Sequence, residues 1–327
     1  MSKTDDKLAF IIATLADGQF HSGADLGRNL GISRAAIHQL VHQLETLGLD
    51  IYSVPGRGYR LARGFTVLDQ SSIADLLGTD GQQFELERIV TSTNDVLKER
   101  IRSQQLQSGY VVVAEAQTAG RGRRGRIWQS PFGAHLYLSM YWRLERGMSA
   151  AMGLSIAVGV AVAELLQQQG IAGVELKWPN DILIHKAKLA GILVELEGQA
   201  AAGADVVIGL GLNVAMPDSV ADKIEQDWTD LSQLLGSSVD RNFWVAALIK
   251  AIRDCLVLFE QEGIAPFIQR WNRFDAFLGQ PVQLKLGEHQ VIRGMVLGID
   301  ESGALLLRRD GITERFHAGE VSLRHDN

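Results

Sequence analysis

From Ser33 to Gly48 the apolar positions keep the beat of a helix. Ile37, Leu40, Val41, Leu44 and Leu47 stand at i, i+3, i+4, i+7 and i+10, one stripe along a single face. Ser33 is placed to cap that helix and Gly48 to stop it. Ahead of it Ser22 caps a shorter helix through Leu30, and Gly31-Ile32 makes the turn between the two. The face opposite the stripe carries Arg34, His38, Gln39, His42 and Gln43, side chains able to donate to phosphates and base edges. Two capped helices joined at a glycine predict a helix-turn-helix whose second helix enters the major groove. Residues 51–61 then read as two short strands around Pro55-Gly56, with Arg57 at the tip, which is a wing. The competing reading of residues 1–65 is a small helical domain that only packs against its neighbours.

Beyond residue 65 the pattern alternates. Strand-like runs cover residues 86–90, 111–115, 136–142, 173–178, 182–185, 191–197 and 205–214. Helical spacing covers 93–103, 149–169, 231–235 and 241–261. Strands and helices mixed without strict βαβ order predict an α+β domain over residues 66–275, with a mixed, mainly antiparallel sheet. Residues 276–327 hold short strands at 281–286, 290–300, 303–309 and 314–317 between turns, the size of an SH3-like β-barrel. The predicted chain is therefore three domains: 1–65, 66–275 and 276–327.

Composition narrows the picture. With 46% hydrophobic and 21% charged residues, the chain has enough apolar content for a sizeable core. Its net charge of −6 argues against a protein that coats nucleic acid. Residues 1–65 carry seven Lys/Arg against six Asp/Glu, so any DNA contact belongs to that part and has a moderate electrostatic share. The single cysteine, Cys255, lies in an apolar run and reads as a buried small hydrophobe. Residues 1–6 lack an apolar signal core, and the apolar stretch 150–166 is broken by Glu164 and falls short of the roughly 20 residues of a membrane span. A cytoplasmic location is expected.

The densest chemistry is Gly120-Arg121-Gly122-Arg123-Arg124-Gly125-Arg126, followed by Trp128. Glycines let backbone N–H groups converge on an anion, and arginines add forked donors with a permanent charge. Such a run also occurs in disordered RNA-binding segments and basic localisation patches. Ser92-Thr93-Asn94 opens a helix, either as a plain N-cap or as a polar cradle for a ligand head. Lys177-Trp178-Pro179-Asn180-Asp181 ends a strand in a polar turn, and Lys188 precedes the apolar run 189–194. Gly209-Leu210-Gly211-Leu212-Asn213 is too short for a dinucleotide fingerprint. The sequence has no G-x-S-x-G, H-E-x-x-H, Walker lysine or paired cysteines. It offers cations instead (Arg121, Arg123, Arg124, Arg126 and Lys188), with Asp181 a possible Mg²⁺ partner. That set suits charge neutralisation at a phosphorus centre.

In this order, with Gln117-Thr118-Ala119 leading into the Arg/Gly run, these motifs closely resemble those of the biotin–protein ligases. With the winged helix-turn-helix in front, the chain looks like the bifunctional class that is both ligase and biotin operon repressor. The resemblance spans nearly the whole chain, and it implies a class II synthetase-like catalytic domain. Biotin and ATP would form biotinoyl-5′-AMP, with Mg²⁺ near Asp181 shielding the nucleotide. Biotin would then pass to a lysine of the biotin carboxyl carrier protein of acetyl-CoA carboxylase. By motif match, Ser92, Thr93, Asn94 and Gln117 would hold the biotin head, and Gly120, Arg121, Gly122 and Arg123 would close over carboxylate and phosphate. Lys188 would bridge carboxylate and α-phosphate, so that Lys188, Arg121 and Arg123 carry the catalysis. Arg121, Arg124, Arg126, Trp128, Asn180, Asp181, Asn213 and Trp228 would surround the ATP and adenylate side. Operator DNA would meet Ser22, Ser33, Arg34, His38, Gln39, His42, Gln43 and Arg57. An adenylate-bound homodimer is expected to pair through the segment from Gly191 to Glu197, read as an edge strand. Two alternatives stand beside this: a lipoate-type ligase, and a ligand-sensing repressor without transfer activity.

Overall fold

A computed structural model describes residues 3–62, 64–79, 83–145, 151, 153–197, 203–286, 290–317 and 321–325. Three helices, α1 (Lys3–Leu15), α2 (Gly23–Leu30) and α3 (Arg34–Thr46), pack with the antiparallel hairpin β1 (Ile51–Val54) and β2 (Gly58–Leu61). The caps are those the sequence promises. Ser22 Oγ accepts the Asp25 N–H and Ser33 Oγ the Ala36 N–H, while Gly31 closes α2 in the left-handed region at φ 63°. Ile37, Val41 and Leu44 are buried against Leu8, Ile11, Leu15 and Leu26. Helix α1 is an element the pattern reading did not include.

The centre of the molecule is a seven-stranded sheet. It contains β3 (Phe84–Val90), β4 (Val111–Gln117), β5 (His135–Leu144), β6 (Val174–Lys177), β7 (Asp181–Ile184), β8 (Ala187–Glu197) and β9 (Ala204–Asn213), in the order β3-β4-β5-β9-β8-β7-β6. Only β3 and β4 run parallel, so the mainly antiparallel expectation holds. Because alternate side chains face opposite ways, Val112, Tyr141 and Val207 meet Leu97 of α5 (Thr93–Ser103) on one face. Val111, Val113 and Met140 on the other face join the main core, beneath α6 (Leu154–Gln168) and α9 (Arg241–Glu262). Helix α6 is apolar and buried over most of its length, with Glu164 and the closing glutamines the polar exceptions, as befits a central helix. Its predicted start at Ser149 lies outside the described residues. The short helices α4 (Gln70–Leu77), α7 (Asp218–Ala221), α8 (Leu231–Leu235) and α10 (Ala265–Phe274) complete this part. No helix among the described residues is long and apolar enough to cross a membrane.

The last strands, β10 (Pro281–Leu286), β11 (Gln290–Ile299), β12 (Leu305–Arg309), β13 (Ile312–Phe316) and β14 (Val321–His325), form a five-stranded antiparallel sheet in the order β13-β12-β11-β10-β14.

One expectation needs correction. Strand β8 is not an edge strand: it lies between β9 and β7. The hairpin of β6 and β7 is short, however, and its pairing with β8 stops at Gly191, with Asn180 holding Ile192 just beyond. Residues 193–197 of β8 pair with β9 alone among the described residues.

Candidate active site

The ends of β4 and of β6 to β9, with the start of α5, surround a cavity of about 1050 Å³. Ser92, Thr93, Asn94, Gln117, Arg121, Gly122, Arg123, Arg124, Arg126, Trp128, Asn180, Asp181, Lys188, Asn213 and Trp228 all line it, although they come from stretches far apart in the chain. Of the ligand residues expected from sequence, only Gly120 is absent from the wall. It has a packing role, since a Cβ there would sit 2.4 Å from Ser130 Oγ.

At one end, Ser92 occupies the N-cap position of α5 yet makes no side-chain cap bond, so the plain-cap reading fails. The Thr93 N–H donates to Gln117 Oε1 at 2.9 Å, and Gln117 Nε2 donates to Ser130 Oγ at 3.1 Å. Asn94 is enclosed by Ser139 and Glu195, neither of which the sequence reading singled out.

The Arg/Gly run is a tight hairpin: Gly122 N–H donates to Arg126 O, Trp128 N–H donates to Gly120 O, and Arg124 turns the chain at φ 60°. Arg121 lines the cavity but forms a bidentate pair with Asp95 of α5, at 2.5 and 2.7 Å. That pairing holds the Asp95 carboxyl below the usual carboxylate range, and it ties the hairpin to α5. Arg123 reaches Asn180 Oδ1 at 3.4 Å, and burial pulls its guanidinium pKa down. A desolvated cation binds an incoming anion more strongly, because less water screens the pair.

Lys188 reaches the same space through a bulge. Asp181 pairs with Gly191 and Ile182 with Ala190, but Leu183 pairs with Lys188, leaving Leu189 as an extra residue in β8. The insertion puts Lys188 on the face of Gly191 and Asp181 instead of the opposite one. Its ammonium lies 2.9 Å from Asp181 Oδ1 and 5.3 Å from the centre of the Trp128 ring. Trp128 itself lies flat over facing glycines, Gly191 and Gly211: a Cβ at Gly211 would be 2.6 Å from the indole. Asn213 Nδ2 donates to the carbonyls of Lys188 and Thr229, so it anchors the 216–228 segment beside β8. Asn180 Nδ2 likewise donates to Ile192 O. Lys177, Lys186 and Lys223 also line the wall, so eight cations face three carboxylates, Asp181, Glu225 and Asp227. Such a wall suits a polyanion. Among the described residues there is no group of three His, Cys, Asp or Glu side chains able to hold a metal ion. Cys255 is buried in α9 with its thiol pushed up to about 12 by burial, which leaves it inert.

The expected DNA-contacting residues lie outside this cavity. Arg34, His38, Gln39, His42 and Gln43 are exposed on α3, with His42 3.1 Å from Glu45. Arg57 at the wing tip lies over the Phe20 ring at 4.3 Å. Ser22 and Ser33 are occupied as caps.

Comparison with known proteins matches three parts of the chain. Residues 86–213 match the biotin/lipoate A/B protein ligase family, residues 277–324 the biotin protein ligase C-terminal domain, and residues 7–60 an HTH domain. The bifunctional ligase/repressor BirA of Salmonella typhimurium is 48% identical over 96% of both chains. The biotin–[acetyl-CoA-carboxylase] ligase of Mycobacterium tuberculosis is 33% identical over 78% of this chain and 95% of its own. Among solved structures, the biotin protein ligase of Aquifex aeolicus in complex with biotin and ATP aligns with a TM-score of 0.66 at 27% identity, covering 75% of this chain and all of that one. The protein belongs to the biotin protein ligase family, in the branch that carries an N-terminal HTH domain.

Proposed function

We propose that this protein is an ATP-dependent biotin–protein ligase that also represses transcription of a biotin operon. The observation that carries the ligase reading is the cavity itself: its wall is cationic, and the motif residues provide no side chain poised as a covalent nucleophile. Two anions, a carboxylate and a triphosphate, repel each other, and the wall offsets that repulsion. A biotin carboxylate oxygen attacks the α-phosphorus of ATP, the bond to the β-phosphate oxygen breaks, and pyrophosphate leaves. The ε-amine of a carrier-protein lysine then attacks the acyl carbon of the mixed anhydride, losing a proton and expelling AMP. Lys188, freed from Asp181, bridges the reacting oxygens, while Arg123 holds the phosphate side. Thr93 and Gln117 seat the head, and Trp128 with the 216–228 segment covers the adenine.

Mg²⁺ would come with ATP and supply shielding of the phosphate charge. Asp181, paired with Lys188 in the wall, is the carboxylate that would help to hold that ion beside the phosphates. The carrier protein and operator DNA are the macromolecular partners, and the chain works in the cytoplasm. With adenylate bound, two copies pair through the open side of β8 at residues 193–197, which brings two α3 helices to a palindromic operator.

The deciding experiment incubates the protein with ATP, Mg²⁺, biotin and an apo carrier domain, with lipoate in parallel, and weighs the carrier. A biotin-sized gain is expected. Adenylate on the protein without transfer would make it a sensor, and a lipoyl gain would mean a different acid.

A further inference from the structure

The head end of the cavity contains a continuous chain of polar contacts whose direction is set from outside the ligand site. Glu195 of β8 accepts from Asn94 Nδ2 at 2.6 Å through one oxygen, and from Lys98 Nζ at 2.8 Å through the other. A carboxylate in an ion pair only accepts, so the Asn94 amide nitrogen has to face it. The Asn94 oxygen is thereby turned to Ser139, 2.5 Å from its hydroxyl. Ser139 is fully buried and has one proton, which goes to that oxygen. Its remaining neighbour is Thr93 Oγ1, at 2.7 Å. Two hydroxyl oxygens that close need a proton between them, and only Thr93 has one left to give. Thr93 Oγ1 also lies 3.2 Å from Gln117 Oε1, but the Ser139 oxygen is closer and is left without any other proton between them, so Thr93 donates inward to Ser139 and turns lone pairs towards the cavity it lines. If Asn94 were flipped, every bond would reverse, and Thr93 would present a donor instead.

We propose that Glu195 is a positioning residue for substrate choice: acting through Asn94 and Ser139, it keeps Thr93 an acceptor towards the head group. This rests on the reading that the biotin head occupies the Thr93 end. A cyclic urea has two N–H donors, and an acceptor satisfies one of them. A dithiolane ring has none, so against it the same buried oxygen is left unpaired, which penalises the wrong acid. Asn94 acts through Ser139, because both ends of its amide are held by protein.

The test uses the full chain, with melting temperature and the KM for ATP as controls. Glu195→Leu removes the acceptor that orients Asn94. It should raise the biotin KM about tenfold or more, the worth of one buried hydrogen bond, with kcat and ATP KM little changed. Asn94→Asp sets two carboxylates face to face and should do at least as much harm. Asn94→Asp combined with Glu195→Gln restores the chain: the glutamine amide donates to one oxygen of the carboxylate introduced at position 94, and the other oxygen still accepts from Ser139. The double variant should recover most of the lost biotin affinity. An unchanged biotin KM in Glu195→Leu, or a double variant no better than Asn94→Asp, overturns the relay. If Glu195→Leu melts far below the wild type, the comparison of Asn94→Asp with the double variant decides alone. Thr93→Val separates the two levels. If it leaves the biotin KM unchanged, the head group lies elsewhere and the site reading fails. If it raises the KM while Glu195→Leu does not, the relay alone is wrong.

Discussion

Single side chains in the cavity divide into those that meet charge and those that hold them in place. Lys188 is of the first kind, with its ammonium 2.9 Å from Asp181 in a wall of excess positive charge. Removing one preorganised donor to developing charge commonly costs about 3–4 kcal/mol of barrier. Lys188→Ala should therefore slow adenylate formation by roughly 10²-fold or more in a single-turnover assay; near wild-type rates would remove it from the mechanism. Arg123 stands at the head of the hairpin turn, partly desolvated and within reach of Asn180. Arg123→Gly should loosen the closed hairpin and speed release of adenylate, read by rapid dilution of the preformed complex. An unchanged release rate would leave the hairpin no part in retention. Arg121 lines the same wall, but there Asp95 of α5 takes its guanidinium in a bidentate pair. The motif names both arginines alike, and only the neighbouring helix distinguishes them.

At the scale of elements, a strand has two sides that need not share a fate. The apolar run ending at Glu197 identifies a strand without saying which of its sides is covered. Pairing with the short β7 closes β8 as far as Gly191, while residues 193–197 keep one side open among the described residues. Leu196 there is 43% exposed. A charge on an open strand side is a common guard against edge-to-edge pairing. Leu196→Lys should therefore abolish the ligand-dependent dimer in sedimentation with biotin and ATP, while biotin transfer continues. A wild-type chain that stays monomeric with ligand would dispose of the dimer itself. The bulge at Leu189 belongs to the same scale. Counting along the sequence puts Lys188 and Gly191 on opposite faces, and the extra residue brings them onto one.

For the whole molecule, the decisive feature is how the helix-turn-helix part meets the catalytic part. Ala116 and Phe132 pack into the same apolar cluster as α1 and α3, and the Phe132 N–H donates to Leu47 O. The linking residues are held by a buried ion pair. Glu115 accepts from Arg241 at 2.6 Å and from the Leu68 N–H at 2.7 Å, and Arg241 also donates to Thr66 O and His135 O. His135 is wholly buried beside that guanidinium, and burial first, then Arg241, depress its pKa to about 3. Unfolded, the ring takes a proton near pH 6.5, which the folded chain refuses until about pH 3. Below about pH 6.5 the unfolded state binds more protons, so stability falls as pH drops, by up to about 1.4 kcal/mol per unit. Urea unfolding at pH 7 and pH 5 should show this loss in the wild type and less of it in His135→Asn; equal losses would remove His135 as the cause. The sequence by itself determined the local units: the capped helices of the DNA-reading part, the alternating strands, and every motif that lines the cavity. Those signals are local, carried by caps, by periods of 3.6 and 2, and by residue chemistry over a few positions. Strand order, the half-covered side of β8, the bulge that turns Lys188, the Asp95 hold on Arg121 and the direction of the Glu195 chain were decided only by tertiary structure. Each depends on groups far apart in the chain meeting in space, and no short window of sequence records that meeting.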